Sequence, residues 1–587
     1  MSENIKAGAV SHRRLTTQMH IDQSGLPSQA ADVVQRVVRR TRLWPRERED
    51  VTRELIAHFA DGLEAGASVD QLIRDFGDPE KAARLIRRAK KRNRPWWWHT
   101  QERLGQLLLV LVAVYLGLWV WLMTGKPQPS VDYIAQLNAA AMAVPSDQAA
   151  WPIYREAAIA YKLNQFDTSP LYVKEADKRL HLARPDDSQW SAMVAYLDRH
   201  AELIDMIHQG AARPGLGFIA GHDMDITQRD RLAFYGEEQA TVIEQPTEDR
   251  SYAQQLAEES LIGVLLPHLG MMRKMAELMV ADMRLAAVAG DGARIVKDME
   301  SIIGLARHAR EIPLVVNDLV GVSILSMGLR EVSDILHHRK QSLDVAQWIQ
   351  IAHLLASIDP LMQVRFEGER MFMYDTLQRV YAPNGQITSE GMKYLLHLDQ
   401  LIVTTNHNDA SYQQLSMSMG LPLVYIVMAD RGQMQTKYDH YMDLTAKRAV
   451  KPFWQQLSEP SESKLFVDQL MSSNLGFVRY WPVVVLAPAL DGVSGTMANL
   501  IALRDAVQVA IALELYQREL KQYPDTLGQL VPRYLPTMPV DHSTGKELLY
   551  RMVDGQPMLY GRGLDGDDDG GLMSKKALRA LASDKPG

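Results

Sequence analysis

Leu104–Met123 reads LGQLLLVLVAVYLGLWVWLM, twenty residues without a charge. As an α-helix rising 1.5 Å per residue it is about 30 Å long, the thickness of a bilayer's hydrocarbon core. A helix satisfies its own backbone hydrogen bonds, as lipid requires of any segment that crosses it. Trp96, Trp97 and Trp98 precede the run, and Trp119 and Trp121 lie near its exit; indole rings favour the headgroup zone. The stretch is expected to be a single transmembrane helix over 104–123, with membrane lipid as a partner.

Flanking charge sets an orientation. Residues 84–103 carry Arg84, Arg87, Arg88, Lys90, Lys91, Arg92, Arg94 and Arg103, whereas residues 124–143 carry only Lys126. Lys and Arg collect on the cytoplasmic side, so the amino-terminal region is expected in the cytoplasm and residues 125–587 outside it. The net charge of -7 conceals this asymmetry: residues 1–103 hold 20 Lys+Arg against 14 Asp+Glu, and the excess of acid lies in the remainder. Beside an apolar helix the basic run suits anionic lipid, and no nucleic-acid partner is expected. The folded-looking stretch ahead of the apolar run argues against a signal peptide.

At 587 residues the chain has room for three or more domains. Hydrophobic residues at 47% and charged residues at 23% exclude a disordered or fibrous chain. Cysteine is absent, which removes disulfides, thiol nucleophiles and Cys-ligated metals. A second apolar stretch, Trp481–Leu503, contains Pro482, Pro488, Asp491, Gly492 and Gly495. Those residues are costly or helix-weakening in lipid, so it reads as a buried turn and helix of a folded domain.

Residues 29–95 are dense in helix punctuation. Trp44-Pro45 opens a helix with proline in its first turn, and Val51, Leu55, Phe59 and Leu63 recur every four residues. Ser68 with Gln71 forms a capping-box pattern, Gly77 closes that helix, and Asp78-Pro79 opens the next. A bundle of three or four short helices is expected. Glu54–Ala89, ELIAHFADGLEAGASVDQLIRDFGDPEKAARLIRRA, resembles the HAAS signalling domain through Glu54, Leu55, His58, Gly62, Gly66, Ser68, Phe76, Gly77, Asp78, Pro79 and Ala82. The resemblance covers about 30–92. It implies a helical relay or protein-contact module on the cytoplasmic side of a bacterial membrane protein. His58, flanked by Ala57 and Phe59, reads as a packing or surface residue.

From 130 to 499 helical periodicity dominates and no fixed repeat emerges. Arg273–Arg310 has the pattern of a helical hairpin turning at Gly290-Asp291-Gly292. Met272, Met275, Met279 and Met283 lie on one helix face and read as core filling. Chemistry is sparse. Ser461-x-x-Lys464 lacks the Lys-Thr-Gly companion of serine acyl enzymes, and adjacent His337 and His338 diverge on a helix. No catalytic constellation emerges.

After residue 500 turns multiply, and two strands are predicted at 548–552 and 558–560 around Asp554-Gly555. Asp565, Asp567 and Asp569 with Gly570 open like a calcium loop, since alternate carboxylates can turn toward one hard cation. A solvated acidic tail is the competing reading. Residues 505–571 resemble the carboxyl half of type II secretion major pseudopilins through Tyr516, Tyr523, Pro524, Leu527, Leu530, Pro539, Asp541, Gly545, Tyr550, Tyr560, Gly563, Asp565 and Gly566. That resemblance implies calcium on Leu564 (backbone oxygen), Asp565, Asp567 and Asp569. Two departures matter: His542 replaces the usual proline after Asp541, and the prepilin cleavage motif is missing.

The expected fold is mainly α: a small cytoplasmic helical bundle, one transmembrane helix, a large irregular α-helical extracytoplasmic domain and a small α+β carboxyl-terminal module. The corresponding boundaries are 1–28 (a flexible amino terminus), 29–95, 104–123, 130–499, 500–573 and a tail over 574–587. The expected function is a single-pass inner-membrane interaction or signalling protein, with its bulk in the periplasm and protein partners on both sides. It would be associated with an envelope or secretion assembly. A membrane-anchored periplasmic enzyme with a dispersed active site and an anti-sigma-type transcription regulator are the alternatives.

Overall fold

The helix signals around Trp44 and Asp78 mark where helices begin in the computed structural model, which describes residues 17–94, 96–163, 172–173, 178–179, 183–222, 226–240, 251–402, 427–487 and 490–571. Four helices build the first unit: α1 Ser28–Thr41, α2 Pro45–Glu64, α3 Val69–Phe76 and α4 Pro79–Arg92. Pro45 lies in the first turn of α2, and the Glu47 carboxylate accepts the Trp44 backbone N–H at 3.0 Å. Arg94 grips that carboxylate at 2.6 and 2.7 Å. The Ser68 hydroxyl caps α3 through the Gln71 N–H, and Asp78 caps α4 through the Glu80 N–H at 2.8 Å. Gly77 joins the two helices at φ 76°, a region that costs glycine nothing.

Val33, Val34, Val37 and Val38 of α1 meet Val51, Leu55 and Phe59 of α2 and Ala83 of α4 in one small core. Ile21 is buried in that core from a short helical stretch at residues 17–22. The packed unit therefore starts before residue 29, inside the segment expected to be flexible. Six residues contributing one buried side chain leave no periodicity to read. Residues 1–16 and the tail from 574 lie outside the described residues.

Helix α5, Trp96–Thr124, is continuous over 29 residues. Between Leu104 and Trp121 no side chain is buried, and Leu107 to Leu111 are each more than half exposed. The side chains of Trp96, Trp97 and Trp98 fall outside the described residues.

The described residues from 118 onward form the second compact unit. Its principal helices are α6 Trp151–Ala160, α7 Ala201–Ala211, α8 Pro267–Ala289, α9 Gly292–Ala309, α10 Val315–His338, α11 Val345–Ser357, α12 Glu367–Val380, α13 Arg431–Ala449, α14 Asn474–Leu486 and α15 Asp491–Leu520. Helices α8 and α9 are the expected hairpin: Gly290 turns the chain at φ 73° and Asp291 caps α9 through the Arg294 N–H at 3.1 Å. Met272, Met275, Met279 and Met283 are fully buried, as core filling requires. Gly304 brings α9 against α7, because a Cβ there would stand 2.3 Å from the Ala211 carbonyl oxygen. A second core gathers Phe366, Leu377, Tyr394, Tyr438 and Met442 around α12 and α13.

Within Trp481–Leu503, residues up to Leu486 end α14 and residues from Asp491 begin α15. Helix α15 then runs uninterrupted through residue 500, where the sequence suggested a boundary. Val507, Ile511 and Leu515 enter the large core, while Val509, Ala512, Leu513 and Tyr516 pack on Leu527, Leu530 and Leu535. One helix thus serves both the body and the carboxyl-terminal module. That module carries the hairpin β1 Leu549–Val553 and β2 Gln556–Tyr560, antiparallel with Val553 opposite Gln556. Asp554 and Gly555 turn it at φ 50° and 76°, the left-handed pair that a two-residue turn between twisted strands demands.

Candidate functional sites

The acidic loop follows β2 directly. Leu564 is exposed, and so are Asp565, Asp567 and Asp569. Asp565 Oδ1 accepts the Asp567 N–H at 3.4 Å, and Asp568, in the sequence between two candidate ligands, takes the Tyr560 hydroxyl at 3.0 Å and the Gly570 N–H at 3.0 Å. Among the described residues, the carboxylates of Asp565, Asp567 and Asp569 do not converge within 4.8 Å as a group. Turn bonds, rather than a preformed cation cage, hold the loop as it stands.

Asp541 anchors the same module from inside. It accepts the Ser543 N–H at 2.8 Å, the Arg562 N–H at 2.8 Å and the Thr544 hydroxyl at 2.9 Å. Burial opposes its ionisation, yet those donors outweigh burial and hold the carboxyl below its ordinary range. Its role is to pin the chain around the hairpin. His542, the departure from the pseudopilin pattern, places Nε2 2.7 Å from Asp505 Oδ2 and so ties the module back to α15.

A cleft of about 970 Å³ opens between α11, α15 and the segment Pro532–Pro539. Ile349, Leu515 and Pro536 supply apolar wall, and Arg504, Arg518 and Arg533 supply charge. Arg504 pairs with Asp359 and with Asp505 at 2.5 Å, Arg533 pairs with Glu519, and Tyr534 donates to Glu519 at 2.5 Å. All three carboxylates lining the cleft are thus held by a guanidinium. Such an arrangement suits holding a ligand better than moving protons. Sequence reading missed it because its walls come from three segments well over a hundred residues apart at the widest.

Buried charge is concentrated in the body. Asp318, fully buried on α10, accepts Arg310 Nε at 2.9 Å and the Arg365 N–H at 2.9 Å, with the Arg365 guanidinium at 2.6 Å. Arg284 forks onto Glu331, and Arg379 Nε reaches Asp375 at 3.0 Å. Arg284–Glu331 ties α8 to α10, Asp375–Arg379 lies within α12, and Asp318 is shared by two arginines. A further group, His208 with Asp282 and Asp298, is less balanced.

The HAAS family matches residues 34–84. That span runs from the middle of α1 to the first half of α4 and contains the Val34–Phe59 core and the Phe76-Gly77-Asp78-Pro79 joint. The first unit therefore carries a HAAS domain. No curated protein and no solved structure matches the chain.

Proposed function

We propose that the chain is a single-pass membrane protein of the bacterial inner membrane. Its HAAS domain would lie on the cytoplasmic side, relaying or receiving contacts from a large periplasmic helical body. The observation that carries this reading is α5: from Leu104 to Trp121 it is uncharged and none of it is buried, an arrangement costly in water and natural in lipid. The basic run from Arg84 to Arg103 on one side, against Lys126 alone on the other, supports the orientation. The HAAS match supports a role in protein contact, with partners in both compartments.

Reporter fusions test the topology. A cytoplasm-only reporter should be active at the amino terminus and a periplasm-only reporter active after residue 130, with the intact protein retained in the membrane pellet. Both reporters active on one side, or an intact chain soluble without detergent, overturns the proposal.

The cleft beside α15 supports a secondary reading, in which the body binds a ligand whose occupancy the HAAS domain reports. Calcium on Asp565, Asp567, Asp569 and the Leu564 carbonyl belongs to this proposal as well, together with the pseudopilin likeness and its link to secretion assemblies. It requires those exposed groups to close up around the ion. Titration of the intact protein with calcium should give heat that disappears in Asp565→Asn with Asp567→Asn; no heat leaves the loop a solvated turn.

A further inference from the structure

Three helices of the body bring His208 from α7, Asp282 from α8 and Asp298 from α9 to one place. Both carboxylates are fully buried and the imidazole nearly so. One donor atom of each residue lies within 4.8 Å of the other two. The close crossing of α7 and α9 at Gly304 makes the approach possible.

The Ser301 hydroxyl lies 3.0 Å from the Lys297 carbonyl and 2.7 Å from His208 Nδ1. With its hydrogen on the carbonyl it accepts from Nδ1–H, and in that tautomer Nε2 keeps a lone pair. That lone pair faces Asp298 Oδ1 at 3.3 Å. Neither Asp298 oxygen has a hydrogen-bond partner. Asp282 is served from its outer side, where Arg294 Nε meets Oδ2 at 2.7 Å and a second guanidinium nitrogen meets Oδ1. Two carboxylates and an imidazole thus share a buried cluster with one guanidinium. Lys297 is turned to the surface with Asp205 at 3.7 Å.

Such a pocket holds one positive charge too few. Either a proton or a metal ion must fill the deficit. The spacing admits a metal. Ligand atoms about 2.0–2.2 Å from one ion, at tetrahedral or octahedral angles, stand roughly 3.0–3.5 Å apart, and Nε2 and Oδ1 are 3.3 Å apart. The surroundings match those of a ligating histidine and carboxylate, with the far imidazole nitrogen on a hydroxyl and the carboxylate oriented by an arginine.

We propose that His208 Nε2, Asp282 and Asp298 bind one divalent transition cation of the zinc or manganese class, cross-tying α7, α8 and α9. One nitrogen and two carboxylate oxygens suit those ions better than calcium or magnesium, which favour all-oxygen shells. The ion displaces whatever proton Asp298 holds, and its two charges take the group from one net negative charge to one net positive.

Intact protein purified in detergent, stripped with chelator and titrated with zinc chloride tests the site. One zinc per chain should bind and the melting temperature should rise by several degrees. Both effects should be lost in Asp298→Asn and in His208→Gln, and kept when Asp565 and Asp567 are changed to Asn. A proton shared between the two carboxylates predicts the opposite: no stoichiometric metal in native or titrated protein, and a melting temperature in Asp298→Asn equal to or above that of the parent. That result overturns the proposal, and so does zinc binding that survives both variants. Should the variants fail to fold, the unmodified protein decides: no stoichiometric zinc and no zinc-dependent shift in melting also overturns it.

Discussion

Helices α5 and α15 have 29 and 30 residues, and both are long and apolar enough to cross a membrane. Yet one has no buried side chain from Leu104 to Trp121 and the other is half buried in protein. The difference lies in where the charges fall. Helix α5 has none between Leu104 and Met123. Helix α15 carries Arg504, Asp505, Glu514 and Arg518, and the rest of the unit meets each of them. Arg504 finds Asp359, Glu514 finds Lys340 at 3.0 Å, Arg518 donates to the Leu343 carbonyl at 2.7 Å, and His542 reaches Asp505. Average apolarity cannot separate a lipid-facing helix from a core helix; partners for the polar residues can.

The sharpest way to break this comparison is to place the same charge in both helices. Ile511 is fully buried on α15, so Ile511→Arg puts an unpaired cation into the core at a cost of several kcal/mol. We expect the body to become protease-sensitive and to lose its cooperative melt. Leu108→Arg with Leu111→Arg on α5 should leave the body's melt unchanged. In lipid, though, the two arginines cost about 2.5–3.5 kcal/mol each near the bilayer centre, so the variant should leave the membrane fraction. If the α5 variant unfolds the body, or the α15 variant melts normally, burial and partnered charge do not separate the two helices.

A smaller change acts through the partner helix. Helix α10 packs against α15, and Asp318 on α10 neutralises the buried Arg310. Asp318→Ala strands that guanidinium, a loss of about 3–5 kcal/mol for a broken buried pair. Hydrogen exchange should quicken in α10 and α15 and stay unchanged in α1 to α4. Uniform exchange rates in the variant would show that the pair does not hold α15 in place.

Legibility followed the same division. Local chemistry was readable: Pro45, Ser68, Asp78, Gly290 and Asp554-Gly555 stand where helices start, stop or strands turn, because caps and left-handed turns are set by neighbours in sequence. The α8–α9 hairpin and the methionine core were readable for the same reason. What escaped was contact at a distance. The cleft walls and the meeting of His208 with Asp282 and Asp298 depend on helix packing, which no short window contains. The continuity of α15 through residue 500 was hidden by a change in composition after its end. Even so, a carboxylate on an otherwise apolar face, such as Asp282 among the α8 methionines, was a signal that could have been weighed.

Acid should loosen the body next. His268 is buried with neither ring nitrogen hydrogen-bonded, and burial pulls it down to about 3. Burial likewise pulls His308 to about 4; its ring nitrogens sit 3.0 Å from the Tyr154 hydroxyl and 2.9 Å from the Arg213 carbonyl. In the unfolded chain both titrate near 6.5. As pH drops below that value the unfolded state gains protons that the fold refuses. Stability should therefore be full above about pH 6.5 and fall toward pH 4, with His268 still contributing toward pH 3. Melting temperature against pH measures this. His268→Phe, beside Phe218 at a ring separation of 4.3 Å, should flatten the acid limb. An unaltered slope would remove His268 from the account.

The smallest effect belongs to the first unit and leaves the body untouched. Asp78 holds the Glu80 N–H at the start of α4, and Pro79 fixes the first turn. In Asp78→Ala the cap is lost at about 1 kcal/mol, while Gly77 and Pro79 still place the turn. Exchange should rise in the first turn of α4 alone, with Ala83 and its valine neighbours protected as before. Should the loss spread through α1 and α2, the small core is weaker than its burial implies, and the HAAS domain would depend on its caps more than on its packing. If nothing changes, proline and glycine alone define the joint, and the aspartate in the Phe76–Pro79 run serves contact with a partner instead of the fold.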